Sequence, residues 1–248
     1  INTGVNKLFP PPWQEGAAPL MNPVMSDHPA VPLPPLPALT DSQRIAAAEG
    51  FLTAMQSRRS VRAFATTPVP RAIIEAAIRV AGTAPNGANH QPWHFAVIGS
   101  DAAKRAVRMA AEAEERAFYA ERASAEWLAA LAPLGTDPDK AFLESAPWLI
   151  VVFGQRRGGI APGEKRQNYY VTESVGIACG LLLAALHQAG LATLTHTPSP
   201  MGFLRKLCGR DADEKPVMII VVGHPAADAT VPVQAQRKKA LDQISSWL

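Results

Sequence analysis

The chain has 248 residues, of which 48% are apolar and 18% charged, with a net charge of +3. That balance suits a globular core of one large domain or two small ones. The charge is mild and forms no basic stripe, so nucleic acid is not an expected partner.

Residues 1–39 are proline-rich and without period, and PAVPLPPLP is expected to be an extended, unpacked N-terminal extension. Met21 and Met25 each suit a native start, and 1–24 is then foreign to the native chain. Thr40 with Gln43 matches a capping box and opens a helix, with Ile45, Leu52 and Met55 near one face, ending near Ser57-Arg58. Val61 to Ala65 is a short strand candidate. Pro70 sits at a helix start, and Ile73, Ile74, Ala77, Ile78 and Ala81 form that helix's apolar stripe. A loop, AGTAPNGANHQPW from Ala81 to Trp93, leads into a strand from Trp93 to Ile98.

One long helix, rich in alanine and glutamate, is expected from about Ala102 to Leu131, broken by Pro133 to Pro138. Its charges, Glu112 and Glu114 among them, read as a solvated face. A short helix around Lys140 to Ser145 leads into a buried strand, Trp148 to Phe153, and then a loop, Gln155 to Asn168. Helix Tyr169 to Ala189 is apolar nearly all round, which marks it as central, and Gly190 caps it. Leu191 to Thr195 is a strand, Phe203 to Cys208 a short helix and Val217 to Val222 a fully buried strand. Residues 226–248 form a tail with little period.

Cys179 and Cys208 have no CxxC spacing and read as buried free thiols. No apolar run reaches the roughly 18 residues of a membrane span. The longest, Gly176 to Leu186, reads as a core helix. With no basic and apolar leader at the start, the expectation is a cytoplasmic enzyme without a membrane partner.

Several residues could carry chemistry. The loop from Ala81 to Trp93 has small side chains that open its backbone N–H groups to something flat or anionic, although such a loop also serves as a plain connection. Arg58, Arg59 and Ser60 at a helix end make an anion grip or a solvated basic turn. Glu115 and Tyr119 are four apart and share a helix face. Thr195 and Thr197 flank His196 at a strand end, where β-branched residues are common. His196 itself reads as a surface or supporting histidine rather than an acid catalyst.

The ordered set, with ACGLLLAALHQAGL (Ala178 to Leu191) and ALDQI (Ala240 to Ile244), resembles the FMN-dependent nitroreductase superfamily, and within it the iodotyrosine deiodinase branch, from about Phe51 to the C-terminus. The strand–helix alternation alone suggests a parallel doubly wound sheet. The resemblance implies instead an α+β, nitroreductase-like fold: a mostly antiparallel central sheet flanked by helices, in an intertwined homodimer with an exchanged C-terminal segment. It makes residues 40–248 a single FMN-binding domain, with a lid at about 111–140 and an arm at about 226–248.

The resemblance also implies roles. Arg58, Arg59 and Ser60 hold the flavin phosphate and pyrimidine edge, joined by Arg237 and Lys238, where an arginine is usual at the second place. Pro85, Asn86 and Gly87 pack along the flavin, and the Ala88 N–H holds the substrate phenolate. Thr195 and Thr197 lie near flavin N5, where a hydroxyl donor favours one-electron steps over hydride transfer. Glu115, Tyr119 and Lys140 close on a zwitterionic amino acid: carboxylate to ammonium, cation to carboxylate, phenol as an added hydrogen bond. The implied activity is reductive dehalogenation of a halotyrosine to L-tyrosine and halide, with an external reductant or NAD(P)H renewing the flavin. A broad NAD(P)H-dependent nitroreductase or quinone reductase, and a non-catalytic flavin- or amino-acid-binding protein, are the alternatives. Asn89-His90-Gln91 and the loop Arg156 to Arg166 depart from the pattern.

Overall fold

The computed structural model describes residues 31–248, so the readings at Met21 and Met25 and most of the proline-rich extension lie outside the described residues. The chain divides into two units, 1–44 and 45–248. In the first, 31–40 has no regular secondary structure, and helix α1 (Asp41–Gln56) begins behind Thr40. The capping box is present: the Thr40 N–H donates to Gln43 Oε1 at 2.9 Å and the Gln43 N–H to Thr40 Oγ1 at 3.3 Å. The apolar face expected along α1 is not buried: Ile45 and Leu52 stay 58% and 56% exposed, because their spacing gathers into no stripe.

In the second unit, a four-stranded sheet runs β1 (Trp93–Ile98), β2 (Trp148–Gln155), β6 (Glu214–Gly223), β5 (Ala192–His196), with every neighbouring pair antiparallel. The parallel arrangement suggested by alternation is therefore not adopted. The central strands β2 and β6 are apolar on both faces because helices cover both. Ile150, Val152, Ile220 and Val222 pack with Ile74, Ala77, Ala81, Ala178 and Leu182 of α2 (Arg71–Ala81) and α6 (Val171–Gln188). Leu149, Val151, Ile219 and Val221 face the opposite way, onto Val107 and Ala111 of α3 (Asp101–Ala117), Leu143 of α5 (Phe142–Ser145) and Leu204 of α7 (Phe203–Leu207). This period-two division between two cores is what fixes the register of the sheet.

Four expectations need correction. The long helix is broken: α3 ends at Ala117, a π turn occupies Phe118–Arg122, Ala123 is extended, and α4 (Ala125–Leu131) restarts behind Ser124, whose side chain accepts from the Trp127 N–H. Ser124 offers that hydrogen bond only in a non-helical conformation, so it divides a stretch of otherwise good helix formers. Val61 to Ala65 is not a strand; one isolated bridge, Phe64 to Pro225, falls in it and another, Ser60 to Thr193, just before it. The loop after β2 carries a small ribbon, β3 (Arg157–Gly158) against β4 (Arg166–Gln167). Finally, α6 is, by length and composition, apolar enough to cross a membrane, with a third of it buried inside the fold. Of the two thiols Cys179 is buried and Cys208 half-buried, and both are free. Gly190 ends α6 with φ +75, a left-handed turn that glycine adopts without strain.

Candidate active site

The site forms around β5, an edge strand of the sheet. The Val61 N–H donates to Thr193 O at 3.0 Å, and this contact with the Ser60 bridge lays the segment after α1 along that edge. Arg58, Ser60 and Thr195 then line one cavity of about 260 Å³ with Met55, Gly180 and Leu183. A Cβ on Gly180 would meet nothing within 4 Å, so this wall is open. The side chains of Arg58, Ser60, Thr195 and Thr197 make no hydrogen bond within the described residues, which leaves a cation and three hydroxyls free for a ligand. A phosphate-bearing group with polar ring atoms fits that donor set. Arg59 points elsewhere: its Nη1 donates to Gln56 O and Arg58 O.

Thr195 is shared with a second cavity of about 230 Å³, lined by Glu115, Tyr119, Trp127, Lys140 and Thr197. The Glu115 Oε2 and Lys140 Nζ are 3.3 Å apart, with side chains 13% and 4% exposed. The ammonium also donates to Thr136 Oγ1 at 3.3 Å and to Asp137 O, and lies 5.9 Å from the centre of the Tyr119 ring. The Tyr119 hydroxyl donates to Thr136 O at 3.1 Å. Tyr119 reaches this cavity from the π turn rather than from the α-helix that carries Glu115.

Sequence reasoning missed the support beneath Lys140. Glu112, read as part of a solvated face, is 13% exposed. Its Oε1 accepts from the Lys140 backbone N–H at 2.9 Å and from Arg108 Nε at 2.6 Å, and Arg108 Nη2 reaches Asp139 Oδ1 at 2.7 Å. Burial works against the Glu112 carboxylate, but the Arg108 guanidinium and the Lys140 N–H outweigh it and hold the carboxyl below its usual range. The Arg108–Glu112 spacing of four was the one available signal.

His196 is 8% exposed, behind the strand from Thr195 and Thr197. Burial first, then the Lys140 and Arg62 charges, hold its pKa down to about 3, so the ring is neutral.

The loop residues Pro85, Asn86, Gly87 and Ala88 line neither cavity. Their loop packs on the segment that leads into α6: a Cβ on Gly87 would meet Tyr169 O at 2.8 Å, and His90 Nδ1 lies 2.9 Å from Asn168 Oδ1. Ala88 is exposed, in a left-handed turn with φ 51. Arg237 and Lys238 are exposed on the tail, and Lys238 Nζ donates to Ala235 O.

An open donor set and an internally ion-paired pocket thus meet at one threonine. A sequence profile of the nitroreductase family matches residues 55–224, and the chain belongs to that family. Among its relatives, an iodotyrosine deiodinase from Haliscomenobacter hydrossis is 51% identical over 186 residues, spanning 75% of this chain and 84% of that protein. Iodotyrosine deiodinase 1 from Homo sapiens is 42% identical over 205 residues, 82% of this chain and 70% of that protein. A crystal structure of oxidized iodotyrosine deiodinase bound to FMN and 3-iodo-L-tyrosine superposes with a TM-score of 0.67 at 27% identity, covering 79% of this chain and 100% of that one.

Proposed function

We propose that the protein is an FMN-dependent reductive dehalogenase of halotyrosines. The observation that carries this reading is the buried Glu115–Lys140 pair, with Tyr119 beside it, in a cavity that shares Thr195 with the open donor set of Arg58 and Ser60. Reduced FMN would supply two electrons. With one proton they replace the carbon–halogen bond by a carbon–hydrogen bond and release halide.

The chain's own residues bind and orient. Glu115 takes the α-ammonium of the amino acid and Lys140 its α-carboxylate, each exchanging its present partner for the ligand's opposite charge. Tyr119 and Trp127 cover the ring and exclude water. Arg58 and Ser60 would hold the flavin phosphate and polar edge, and the Thr195 and Thr197 hydroxyls stand ready to donate to its ring nitrogen. The region around 111–140 acts as a lid, with Arg108 and Glu112 as its anchor.

A second copy of the chain completes the site in this reading. Leu241, Ile244 and Trp247 of the tail are 63%, 66% and 88% exposed, and Ile177 of α6 is 45% exposed, so apolar surface is left over for a partner. The Pro85–Ala88 loop and the arm with Arg237 and Lys238 would reach the partner's flavin. Light scattering on the purified protein should give a dimer, and removal of 240–248 should weaken both dimer and flavin retention.

The functional test is direct. FMN-loaded protein reduced with dithionite should release iodide from 3-iodotyrosine. Rapid NAD(P)H oxidation with nitroarenes, indifferent to Glu115→Gln and without iodide release, would favour a broad nitroreductase instead.

A further inference from the structure

His196 holds the one buried side-chain polar atom, among the described residues, that finds no hydrogen-bond partner: its Nε2. Such an orphan is costly, and a native fold keeps one where another state satisfies it. The ring's surroundings restrict what that state can be. It stacks edge-on against Phe142, with centroids 5.5 Å apart at 84°, two residues beyond Lys140. It lines the amino-acid cavity together with Glu115, Lys140 and Arg62. Between two cations the favourable tautomer turns a lone pair, not an N–H, toward positive charge.

Lys140 now spends its ammonium protons on Glu115, Thr136 and Asp137 O. If the proposed function holds, a bound zwitterion takes Glu115 away from it. The ammonium must turn toward the ligand's carboxylate, which takes the proton Glu115 held, and the turn carries it off the 3.3 Å contact with Thr136 Oγ1, which frees a second one. We propose that His196 is a positioning residue for Lys140, its Nε2 accepting a hydrogen bond from that ammonium in the substrate-bound state. The unsatisfied nitrogen of the ligand-free protein is then the empty half of a two-state contact, which substrate binding closes. Position 196 interrupts the two threonines with the one small ring that can act behind the strand while they act in front of it.

The test uses FMN-loaded protein and two ligands, 3-iodotyrosine and 2-iodophenol, read by quenching of flavin fluorescence. His196→Ala should weaken 3-iodotyrosine about 10- to 100-fold, as expected for loss of one buried hydrogen bond to a charged group. It should leave 2-iodophenol, which has no zwitterion, within about threefold. His196→Gln, which offers an acceptor oxygen at similar reach, should recover most of the loss. In ¹⁵N-histidine spectra, Nε2 should stay unprotonated and shift on adding 3-iodotyrosine but not 2-iodophenol. Equal weakening of both ligands marks a merely structural role and overturns the proposal. So does unchanged 3-iodotyrosine affinity in His196→Ala, or a protonated Nε2 in the complex. Wild-type protein that binds flavin yet no halotyrosine defeats the functional reading itself, a result distinct from these.

Discussion

Glu115→Gln is the sharpest probe of the buried pair. At 3.3 Å and an effective dielectric of about 20, the Coulomb attraction is roughly 5 kcal/mol. The variant keeps an amide oxygen for Lys140, and the ammonium keeps Thr136 Oγ1 and Asp137 O. The net loss should therefore fall at the low end of breaking a buried pair, about 3 kcal/mol. For a domain of this size that lowers Tm by roughly 6–12 °C. The assay is thermal unfolding of flavin-loaded protein at one fixed concentration, for Glu115→Gln, Lys140→Met and the double variant. The double variant should recover at least half of the loss, because no lone charge is then left buried. A Tm within about 2 °C of wild type for Glu115→Gln, or strictly additive losses, would refute the reasoning.

Other outcomes follow from the same geometry. Arg108→Ala should raise KM for 3-iodotyrosine by about 10-fold or more with a smaller change in kcat, since it loosens Lys140 through Glu112 and touches no reacting atom. The depressed Glu112 carboxyl contributes stability that is present above the unfolded carboxylate pKa and lost as pH falls through its lower folded value; hydrogen exchange across 118–140 should accelerate there, and Glu112→Gln should abolish that pH dependence. For His196 the unfolded pKa is 6.5 and the folded one about 3, so its contribution is whole above 6.5 and declines as pH drops toward 3. Denaturation midpoints over that window should fall less steeply in His196→Gln. Burial pushes the Cys179 thiol up to about 11, so iodoacetamide at pH 8 should label half-buried Cys208 first and Cys179 only on unfolding.

Much of the architecture was readable because burial leaves a period. The stripe of α2, the uniform apolarity of β2 and β6 and the glycine after α6 each announce an element by a local rule. Strand direction was not readable: alternation of strands and helices points to a parallel sheet, and only the resemblance implied the antiparallel one that forms. The break at 118–124 stayed hidden because it holds neither glycine nor proline; Ser124 was its only mark. Of the site, Glu115, Tyr119 and Lys140 meet in one cavity, a convergence across 25 residues of sequence that no periodicity encodes. Glu112 was lost among its neighbours, since a charge run conceals the one member that faces inward. Arg59, the Pro85–Ala88 loop, Arg237 and Lys238 line neither of the two cavities that share Thr195, as a site divided between two copies would require.

The resting pair of Glu115 and Lys140 makes the pocket electrically self-sufficient before anything enters it. A simple phenol offers nothing in exchange for either charge. A lone amine or a lone acid could engage one partner only by stranding the other in a dry place. Under the proposed function, a molecule carrying both signs on one carbon would replace each partner at once, so the cavity would discriminate by swapping rather than by attraction, and free amino acids would pass where their decarboxylated or deaminated cousins are turned away.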